Sequence, residues 1–296
     1  MNLKQLEYFL EIEKEKSFSK ASQTLHVSQP SLSKVIHQLE EELGIRLFDR
    51  STRHLRITDE GKMMLIHAQQ VIRAADDMKK AADDLIQRRK GSFLFGLPPV
   101  IGSTLFPDVI ADFRATYPDT DMQIIEEGAK IMEASLLEGN IDVGVAILPV
   151  ASDLFDVRPL IQKHLLLIVA PDHPLAKEKK ITMKELRHER FLMFQQGFSL
   201  YDRVREGCIE AGFEPTVIHE STQWDFLVEM AKKNLGVAFV PETLCEKMDM
   251  TEVGVIEVTD PALTWDLALI WRKNSYQSHA TREWIDFVEE SFRAKK

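Results

Sequence analysis

The sequence has little cysteine and no long apolar run. Its two cysteines, Cys208 and Cys245, are too few for a disulfide framework and fit a reducing compartment. Its first segment, MNLKQLEYFLEIEKEKS, is interrupted by charge throughout, and no stretch approaches the roughly 18 consecutive apolar residues of a membrane span. These absences predict a soluble, cytoplasmic protein with no membrane partner.

Motifs for catalysis and for metal or cofactor binding are also missing. The nine histidines include no H-E-x-x-H pair, because His188-Glu189 is followed by Arg-Phe-Leu-Met. There is neither a G-x-S-x-G elbow nor a phosphate-binding loop. We therefore expect a protein that is not an enzyme, with no catalytic residue, no metal site and no cofactor.

The charge of this 296-residue chain is unevenly distributed. Residues 1–90 hold 16 lysines and arginines against 14 acidic residues, a net charge of +2, whereas residues 91–296 hold 21 against 33, a net charge of −12. The length suggests about two domains. The overall net charge of −10 therefore says little about the partner of the smaller, N-terminal part.

The stretch HVSQPSLSKVIHQLEEELG, residues 26–44, has the pattern of a short helix that meets an anionic surface. Ser28 is a good N-cap, Pro30 falls in the first turn, and Gly44 suits the C-terminal end. An apolar stripe follows helical spacing on one face, while the opposite face carries Lys34 and His37 in its first half. The stripe consists of Leu32, Ile36, Leu39 and Leu43.

Two further helices precede this stretch, at about 3–15 and 18–25, and two short β-like runs, RLFDR and HLRIT, follow it. Helix, helix, turn, helix and a two-stranded wing form a DNA-reading plan. The next segment, from Asp59 to about Arg88, contains no proline and repeats apolar residues in heptads. It predicts a helix that pairs two subunits through Met64, Ala68, Val71, Ala75, Met78, Ala82 and Leu85.

Beyond Lys90, strand-like and helix-like segments alternate, which predicts parallel βαβ units arranged as two α/β lobes with a cleft between them. We expect helical segments at 103–116, 130–138, 200–211, 223–233 and 278–294. Two lobes alone would also suit a solute-binding protein, but the attached DNA-reading domain counts against that alternative.

The whole chain resembles the LysR-type transcriptional regulators. The most specific match is FSKASQTLHVSQPSLSKVIHQLEEELGIRLFDR at 18–50, flanked by LKQLEYF and ITDEGKMML, with weaker matches such as LLEGNIDVGVA and GVAFVP further on. The segment GLPPVIGSTLFP also resembles a branch that responds to products of overflow metabolism such as acetate or pyruvate.

This resemblance implies three parts: a winged helix-turn-helix at 1–58, a linker helix at 59–90 and a two-lobed, periplasmic-binding-protein-like effector domain at 91–296. The first lobe would hold residues 91–161 and 265–296, and the second would hold residues 162–264. The implied partners are double-stranded operator DNA, a small-molecule effector, further copies of the chain in a homodimer or homotetramer, and RNA polymerase.

The DNA contacts that we expect lie on the third helix, the start of the second helix and the wing. An amide such as that of Gln29 can both donate to and accept from an adenine edge, and arginines beside the wing can hold a phosphate or enter a narrow minor groove. The predicted DNA-binding residues are Ser19, Lys20, Gln29, Pro30, Ser31, Ser33, Lys34, Arg50 and Arg53.

The resemblance places the effector, often a small carboxylate, between the lobes against amides at a helix N-terminus. Here Pro98 and Pro99 remove two N–H donors and Val100 stands where many members have a hydroxyl residue, which weakens such a site. Lys130 could supply the missing charge. The implied effector-binding residues are Val100, Ile101, Gly102, Ser103, Thr104, Ala129, Lys130, Phe198, Ser199, Ser221 and Thr222.

A redox-sensing regulator acting through Cys208 and Cys245 is the alternative to an effector-binding one. Some members of the family sense peroxide through two cysteines of this domain, and here the two lie 37 residues apart. Their surroundings in the sequence favour buried, inert thiols.

Overall fold

The structure is a computed structural model that describes residues 1–49, 55–87, 91–247 and 249–294. The chain forms two compact units, Met1–Ile86 and Gln87–Lys296. Two predicted DNA contacts, Arg50 and Arg53, lie outside the described residues.

The N-terminal unit consists of three short helices, a small wing and one long helix. Its elements are α1 (Leu3–Glu15), α2 (Phe18–Thr24), α3 (Gln29–Leu43), β1 (Phe48–Asp49), β2 (Arg56–Ile57) and α4 (Asp59–Gln87). The two strands pair antiparallel, with Phe48 opposite Ile57. These elements agree with the predicted sequence of three helices, a wing and a linker helix.

Polar side chains begin each of the three short helices. The Asn2 side chain accepts from Gln5 N at 3.0 Å, Ser17 Oγ accepts from Lys20 N at 3.3 Å, and Ser28 Oγ accepts from Ser31 N at 3.3 Å. Each bond satisfies one amide that the first turn leaves without an intrahelical partner. Gly44 ends α3 in the left-handed conformation at φ +69°.

A single apolar core holds the N-terminal unit together. The first three residues of the α3 stripe are fully buried in it, and the last, Leu43, is half-buried against it. The rings of Phe9 and Phe48 meet edge to face at a centroid distance of 5.5 Å. The core members are Leu6, Tyr8, Phe9, Ile12, Ala21, Leu32, Ile36, Leu39, Leu47, Phe48 and Ala68.

Helix α4 starts against this core and then leaves it. A Cβ at Gly61 would lie 2.3 Å from the Leu47 carbonyl oxygen. Only glycine, which has no Cβ, therefore allows the first turn of α4 to come this close to the start of the wing. The side chains of Met64, Leu65 and Ile72 pack against the core. With 29 residues, α4 is about 44 Å long, which takes its second half beyond those contacts.

The C-terminal unit contains two mixed sheets. The strands are β3 (Ser92–Gly96), β4 (Asp121–Ile125), β5 (Val143–Ile147), β6 (Phe155–Ile161), β7 (Leu165–Val169), β8 (Lys180–Thr182), β9 (Arg190–Phe194), β10 (Thr216–Ser221), β11 (Val237–Pro241), β12 (Gly254–Thr259) and β13 (Leu267–Arg272). Their orders are β4-β3-β5-β13-β6 and β10-β9-β11-β7-β12-β8.

The helices of this unit flank the two sheets. They are α5 (Pro99–Leu105), α6 (Pro107–Thr116), α7 (Ala129–Glu138), α8 (Ser199–Glu210), α9 (Trp224–Lys232), α10 (Glu242–Cys245) and α11 (His279–Arg293), with 3-10 turns at Pro174–Lys177 and Met183–Leu186. We call the five-stranded sheet with α5, α6, α7 and α11 lobe one, and the six-stranded sheet with α8, α9 and α10 lobe two. Among the described helices, none combines the length and apolar content needed to cross a membrane.

The predicted parallel βαβ units are present, since β3 pairs parallel with β4 and β9 pairs parallel with β10. Both sheets also contain antiparallel pairs, of β13 with β5 and β6 and of β7 with β11 and β12. One detail of the prediction for this unit is wrong. The single helix expected at 103–116 is two helices that meet at Phe106. Pro107 occupies the first position of α6, and a proline has no N–H to continue α5.

The two lobes are joined by two neighbouring stretches of chain. Leu165 N donates to Leu263 O at 2.8 Å, and Trp265 N donates to Lys163 O at 2.7 Å. These bonds tie the segment that enters lobe two to the segment that leaves it. We refer to residues 162–165 and 263–266 as the hinge.

An aromatic cluster fills the centre of lobe one. The Trp284 ring of α11 lies 4.8 Å from the Phe113 centroid and 4.9 Å from the Phe95 centroid, both edge to face. Both phenylalanines are fully buried, and each aromatic burial of this kind stabilises a core by several kcal/mol, on the order of 3 kcal/mol against truncation to alanine. The cluster fixes α11 on the sheet against β3.

Candidate functional site

The first half of α3 exposes most of the side chains predicted to read DNA. Gln29, Pro30, Ser31 and Lys34 are all exposed, on the side away from the buried stripe. The hydroxyls of Ser28 and Ser31 lie 2.8 Å apart, so the first turn is held by its own cap. An exposed amide, hydroxyl and ammonium in two turns of one helix can meet base edges and phosphates together.

The start of α2 presents two more predicted contacts. Ser19 and Lys20 are exposed, and Ser22 below them is buried with its Oγ donating to Ser19 O at 2.8 Å. That bond fixes the first turn of α2. The backbone that carries Lys20 is therefore held in place beneath its exposed ammonium.

Ser33 fits the prediction less well than its neighbours. It is half-buried and already takes part in an interaction within the chain. The spacing of the α3 stripe explains this, because Ser33 lies beside the buried Leu32 and Ile36 rather than opposite them. Its contact with DNA stays a prediction.

The acidic end of α3 has a structural use that the sequence reading missed. Glu40 Oε1 accepts from Leu47 N at 2.8 Å and from Phe48 N at 3.3 Å, so this carboxylate ties the wing to α3. Glu41 lies 3.4 Å from His37 Nε2 one turn earlier. A carboxylate eight residues before a strand gives no sequence signal of this role.

The predicted dimerisation seam of α4 changes character along the helix. Met64 and Ala68 contact the core of the unit. Further on, Val71 is 42% exposed, Met78 70% and Leu85 80%, with Ala82 exposed between the last two. Large apolar side chains at heptad positions on an exposed helix face are typical of a surface that a second helix covers.

A small cavity lies between the lobes where two helices begin. Its volume is about 30 Å³. Gly128 and Phe198, the N-cap residues of α7 and α8, both line it, and neither supplies a side-chain cap. The walls are formed by Pro98, Pro99, Val100, Ile101, Gly128, Ala129, Ile147, Phe198, Ser199, Leu200 and Trp265.

A larger groove lies on the other side of the first turn of α5. Its volume is about 440 Å³. It shares Pro99 and Val100 with the small cavity, and it carries the carboxylates of Glu126 and Asp225. The groove is lined by Leu97, Pro99, Val100, Gly102, Ser103, Pro107, Ile110, Ile124, Glu126, Thr222, Gln223, Trp224 and Asp225.

The predicted effector residues are therefore divided between two recesses. Five of them line the small cavity, namely Val100, Ile101, Ala129, Phe198 and Ser199. Four line the groove, namely Val100, Gly102, Ser103 and Thr222. Sequence reasoning had grouped them as one site.

The remaining three, Thr104, Lys130 and Ser221, line neither recess. The hydroxyl of Thr104 is buried and donates to Val100 O at 2.7 Å, inside its own helix. The hydroxyl of Ser221 accepts from Gln223 N at 3.0 Å. Both side chains are used by the local backbone, a pattern common for hydroxyl residues near helix ends.

Lys130 bridges the two lobes on the surface. Its Nζ lies 2.6 Å from Asp202 Oδ2 of α8, and this hydrogen-bonded carboxylate raises the pKa of Lys130. Two further contacts also join the lobes: Arg203 donates to Leu148 O, and Lys247 donates to Thr104 O. The structure thus gives Lys130 a partner other than the expected ligand.

Trp265 is a cavity residue that the sequence reading did not single out. Its side chain is buried, it lines the small cavity, and its Nε1 has no hydrogen-bond partner among the described residues. A tryptophan just before a hydrophobic strand has the sequence pattern of an ordinary core residue. Nothing in the sequence therefore indicates that Trp265 lines a cavity.

The two cysteines lie in lobe two. Cys208 is fully buried on α8 with its Sγ 3.9 Å from Met183 Sδ, and burial raises the pKa of its thiol to about 12. Cys245 is half-buried, and burial raises the pKa of its thiol to about 11. Neither environment favours the thiolate that reacts with oxidants. In the part of the chain that the structure describes, no group of three metal-binding side chains occurs.

Two family models match the chain. The bacterial regulatory helix-turn-helix protein, lysR family, matches residues 3–62, and the LysR substrate binding domain matches residues 87–293.

Relatives are similar along nearly the full length. The uncharacterized HTH-type transcriptional regulator YwbI of Bacillus subtilis (strain 168) is 43% identical over 289 residues, which cover 98% of this chain and 96% of that protein. A hydrogen peroxide-inducible genes activator of Haemophilus influenzae is 30% identical over 277 residues, covering 93% and 92%. A full-length OxyR variant from Pseudomonas aeruginosa has a TM-score of 0.67 at 26% identity, covering 99% of this chain and 95% of that one.

Proposed function

The chain belongs to the LysR family of bacterial transcriptional regulators, and we propose that it controls its operator in response to a small organic acid bound between its two lobes. Membership makes it a DNA-binding regulator with an effector-binding domain. The acid, the site and the residues that contact it are the proposal.

The observation that carries this proposal is the meeting of two helix N-termini at one small cavity. Helices α7 of lobe one and α8 of lobe two both begin there, at Gly128 and Phe198. The first amides of a helix lack intrahelical partners and carry a partial positive charge, which favours an anion. Because the two helices come from different lobes, an anion held by both would favour the closed arrangement.

The walls of the cavity favour a small ligand with an apolar part. Pro98, Ile147 and Leu200 line it beside the hydroxyl of Ser199. A volume of about 30 Å³ holds about two water-sized groups, so an acid of four or more heavy atoms enters as the lobes part slightly. Acetate and pyruvate are therefore suitable probes, and aromatic acids are too large.

Helix α5 contributes less to this site than its place after the first strand suggested. Gly102 N donates to Pro98 O at 2.8 Å, and the hydroxyl of Ser103 donates to Val100 O at 3.2 Å. These groups are engaged by α5 itself, a helix of only seven residues. The ten-residue α7 and the twelve-residue α8 are the better sources of free amides.

The larger groove is the competing ligand site, and its charge argues against an acid. Glu126 and Asp225 line it, and none of its lining residues is a lysine or an arginine. A third carboxylate, brought there by an acid ligand, would be repelled by both. The groove suits a neutral or cationic molecule instead.

For DNA we propose that Gln29 reads a base edge, with Lys34, Lys20, Ser19, Ser31 and Ser33 holding the backbone and Pro30 shaping the first turn of α3. All but Ser33 are exposed on α2 and α3. The exposed seam of α4 would pair two copies, and two pairs would form a tetramer that contacts RNA polymerase in the cytoplasm. We assign DNA reading to residues 1–58, pairing to 59–90 and effector binding to 91–296.

A redox signal through the cysteines is less well supported. A peroxide-inducible activator is among the relatives, and that description belongs to that protein. In this chain burial raises the pKa of both thiols, to about 12 for Cys208 and about 11 for Cys245, so both stay protonated near neutral pH. A Cys208→Ser, Cys245→Ser double variant should therefore respond to its effector as wild type does.

The test of the acid site is a pair of cavity-filling variants. Acetate and pyruvate should raise the melting temperature of the full chain by mass action and change its affinity for a selected operator. Ala129→Leu, which fills the small cavity, should remove both responses, and the matched variant Thr222→Leu, which projects into the groove, should keep them. The opposite result would show that the acid binds in the groove. If wild type responds to neither acetate nor pyruvate, small organic acids are excluded as effectors.

A further inference from the structure

Trp265 occupies an unusual place in the C-terminal unit. Its side chain is only 1% exposed, yet its indole Nε1 has no hydrogen-bond partner among the described residues. Leaving a buried donor without a partner costs about 1–3 kcal/mol, so folded proteins rarely keep one without a use for it. The side chain lines the small cavity between the lobes, which is where an acceptor could reach it.

A second buried tryptophan shows why Trp265 differs. Trp284 Nε1 also lacks a hydrogen-bond partner, but its ring is surrounded edge to face by Phe95 and Phe113. Aromatic faces are weak acceptors for an N–H group, and Trp284 lines neither recess. Trp265 has no ring contact with any described aromatic residue. An aromatic face therefore does not serve as the acceptor for its indole N–H.

The backbone of Trp265 belongs to the hinge. Its N–H donates to Lys163 O at 2.7 Å, and the preceding residue, Thr264, forms an isolated bridge with His164. Arg203 of α8 donates to Thr264 Oγ1 at 3.1 Å and also to Leu148 O of lobe one. A group bound to the Trp265 side chain therefore touches the hinge segment about which the lobes would turn.

Building on the proposed effector site, we propose that the indole N–H of Trp265 donates a hydrogen bond to the effector, and that this bond selects for a ligand with an acceptor oxygen. The acceptor would lie against one indole donor, the first amides of α7 and α8, and the Ser199 hydroxyl. Because the remaining walls are apolar, a ligand that lacks an acceptor leaves the indole unpaired, and an ammonium ligand meets donors only.

The assignment also explains how a cavity without a lysine or arginine in its walls can hold an acid. Lys130 lies outside the cavity and is paired with Asp202, so the ligand's charge is met by dipoles rather than by a fixed cation. Hydrogen bonds from neutral donors to an ionised acceptor are stronger than those to a neutral one. Binding at the hinge then couples the ligand to lobe closure directly.

The experiment follows the indole proton itself. The full chain contains four tryptophans, and uniform labelling of their indoles with ¹⁵N gives four side-chain N–H signals, of which Trp265 is assigned from its loss in Trp265→Phe. The probes are sodium formate, acetate and pyruvate, with methylammonium as the ligand without an acceptor. The Trp265 proton should move downfield and saturate with at least one acid, while the Trp284 signal stays in place and methylammonium has no effect.

Affinity gives a second, independent measurement. Calorimetry with the same acids should show a loss of about 10- to 100-fold in Trp265→Phe, which keeps the aromatic volume but removes the donor. Trp271→Phe, a neighbouring substitution outside both recesses, is the matched control and should bind as wild type does. If Trp265→Phe melts far below wild type, the Trp265 signal is assigned instead by through-bond correlation to its backbone in the wild-type chain, and the NMR titration of that chain decides alone.

The outcomes separate this inference from the function it rests on. If an acid stabilises the chain and changes operator binding while the Trp265 signal stays fixed, the inference is wrong and the effector function stands. If the Trp265 signal moves but operator affinity does not change, the binding residue is supported and the regulatory function fails. A Trp265 signal that no acid moves overturns the inference in every case.

Discussion

In the N-terminal unit most side chains proposed to contact DNA are exposed along α2 and α3, whereas in the C-terminal unit the residues around the small cavity are buried or half-buried between two lobes. The two units therefore place their binding groups in opposite environments. An exposed surface meets a large, charged partner whose affinity comes from many phosphate contacts. A small cavity meets few atoms, so each donor within it has a large effect on selectivity.

The largest effect that would test this contrast is loss of dimerisation. Replacing Val71 and Met78 with glutamate puts charges into the exposed seam of α4, where two copies would bury them. One copy of the N-terminal part has a net charge of only +2, so we expect it to bind DNA weakly alone. We expect the double variant to lose specific operator binding, measured by footprinting.

The control for the seam uses the same chemistry elsewhere on α4. Met63 and Ile66 are also exposed apolar side chains, but they lie off the predicted seam. A Met63→Glu, Ile66→Glu variant should still dimerise by sedimentation and footprint the operator. If the Val71→Glu, Met78→Glu protein protects both half-sites at the normal concentration, the seam is misassigned.

The next effect concerns how α4 is joined to the wing. Gly61→Ala would place a Cβ 2.3 Å from the Leu47 carbonyl oxygen and 2.7 Å from Ile57 Cγ1, and a backbone atom cannot move aside cheaply. We expect the N-terminal unit to lose about 3 kcal/mol of stability in chemical denaturation.

Lys62→Ala changes the next residue of the same turn, whose ammonium is exposed and pairs with Asp59. That variant should unfold within about 0.5 kcal/mol of wild type. Equal stability of Gly61→Ala and wild type would mean that the helix and the wing pack less closely than the structure has them.

Direct base reading gives a smaller and more selective effect. Gln29→Ala should cost about 1–3 kcal/mol in operator affinity and relax the preference at one position of each half-site. Gln38→Ala removes the same side chain from an exposed site two turns later and should change neither affinity nor preference. Selection of binding sites from a random library measures both, and an unchanged preferred sequence in Gln29→Ala would remove this residue from base reading.

The sequence predicted the N-terminal unit more completely because its signals are local. A cap at Ser28, the Leu32 and Ile36 spacing and a C-terminal Gly44 lie within one helix, and each was read from neighbouring residues. What it missed there was the reach of Glu40 to the wing, a contact over seven residues.

The effector unit depends on contacts that no local pattern encodes. The walls of the small cavity come from α5, α7, α8, β5 and the hinge, separated by as many as 167 positions between Pro98 and Trp265. A family pattern brought Val100, Ala129 and Phe198 together, but it could not show that Ser103 and Thr222 open into a different recess. Antiparallel β13 returns to lobe one only because the chain crosses the hinge twice, a long-range choice that alternation of strands and helices does not reveal.

The smallest expected effect is at Lys130, the residue that sequence reasoning favoured as the effector's cation. Its Nζ lies 2.6 Å from Asp202 Oδ2 on the surface, and it lines neither recess. Exposed ion pairs contribute little because water and salt screen them, so Lys130→Ala should change the affinity for acetate or pyruvate by no more than about twofold.

Asp202→Asn is the matched variant, since it removes the partner charge and leaves the lysine free. If the lysine were a ligand held back by Asp202, Asp202→Asn would tighten acid binding and Lys130→Ala would abolish it. Calorimetry on both variants at two salt concentrations distinguishes the cases: two weak, salt-sensitive changes support a surface latch between the lobes, whereas opposite and large changes would return Lys130 to the effector site.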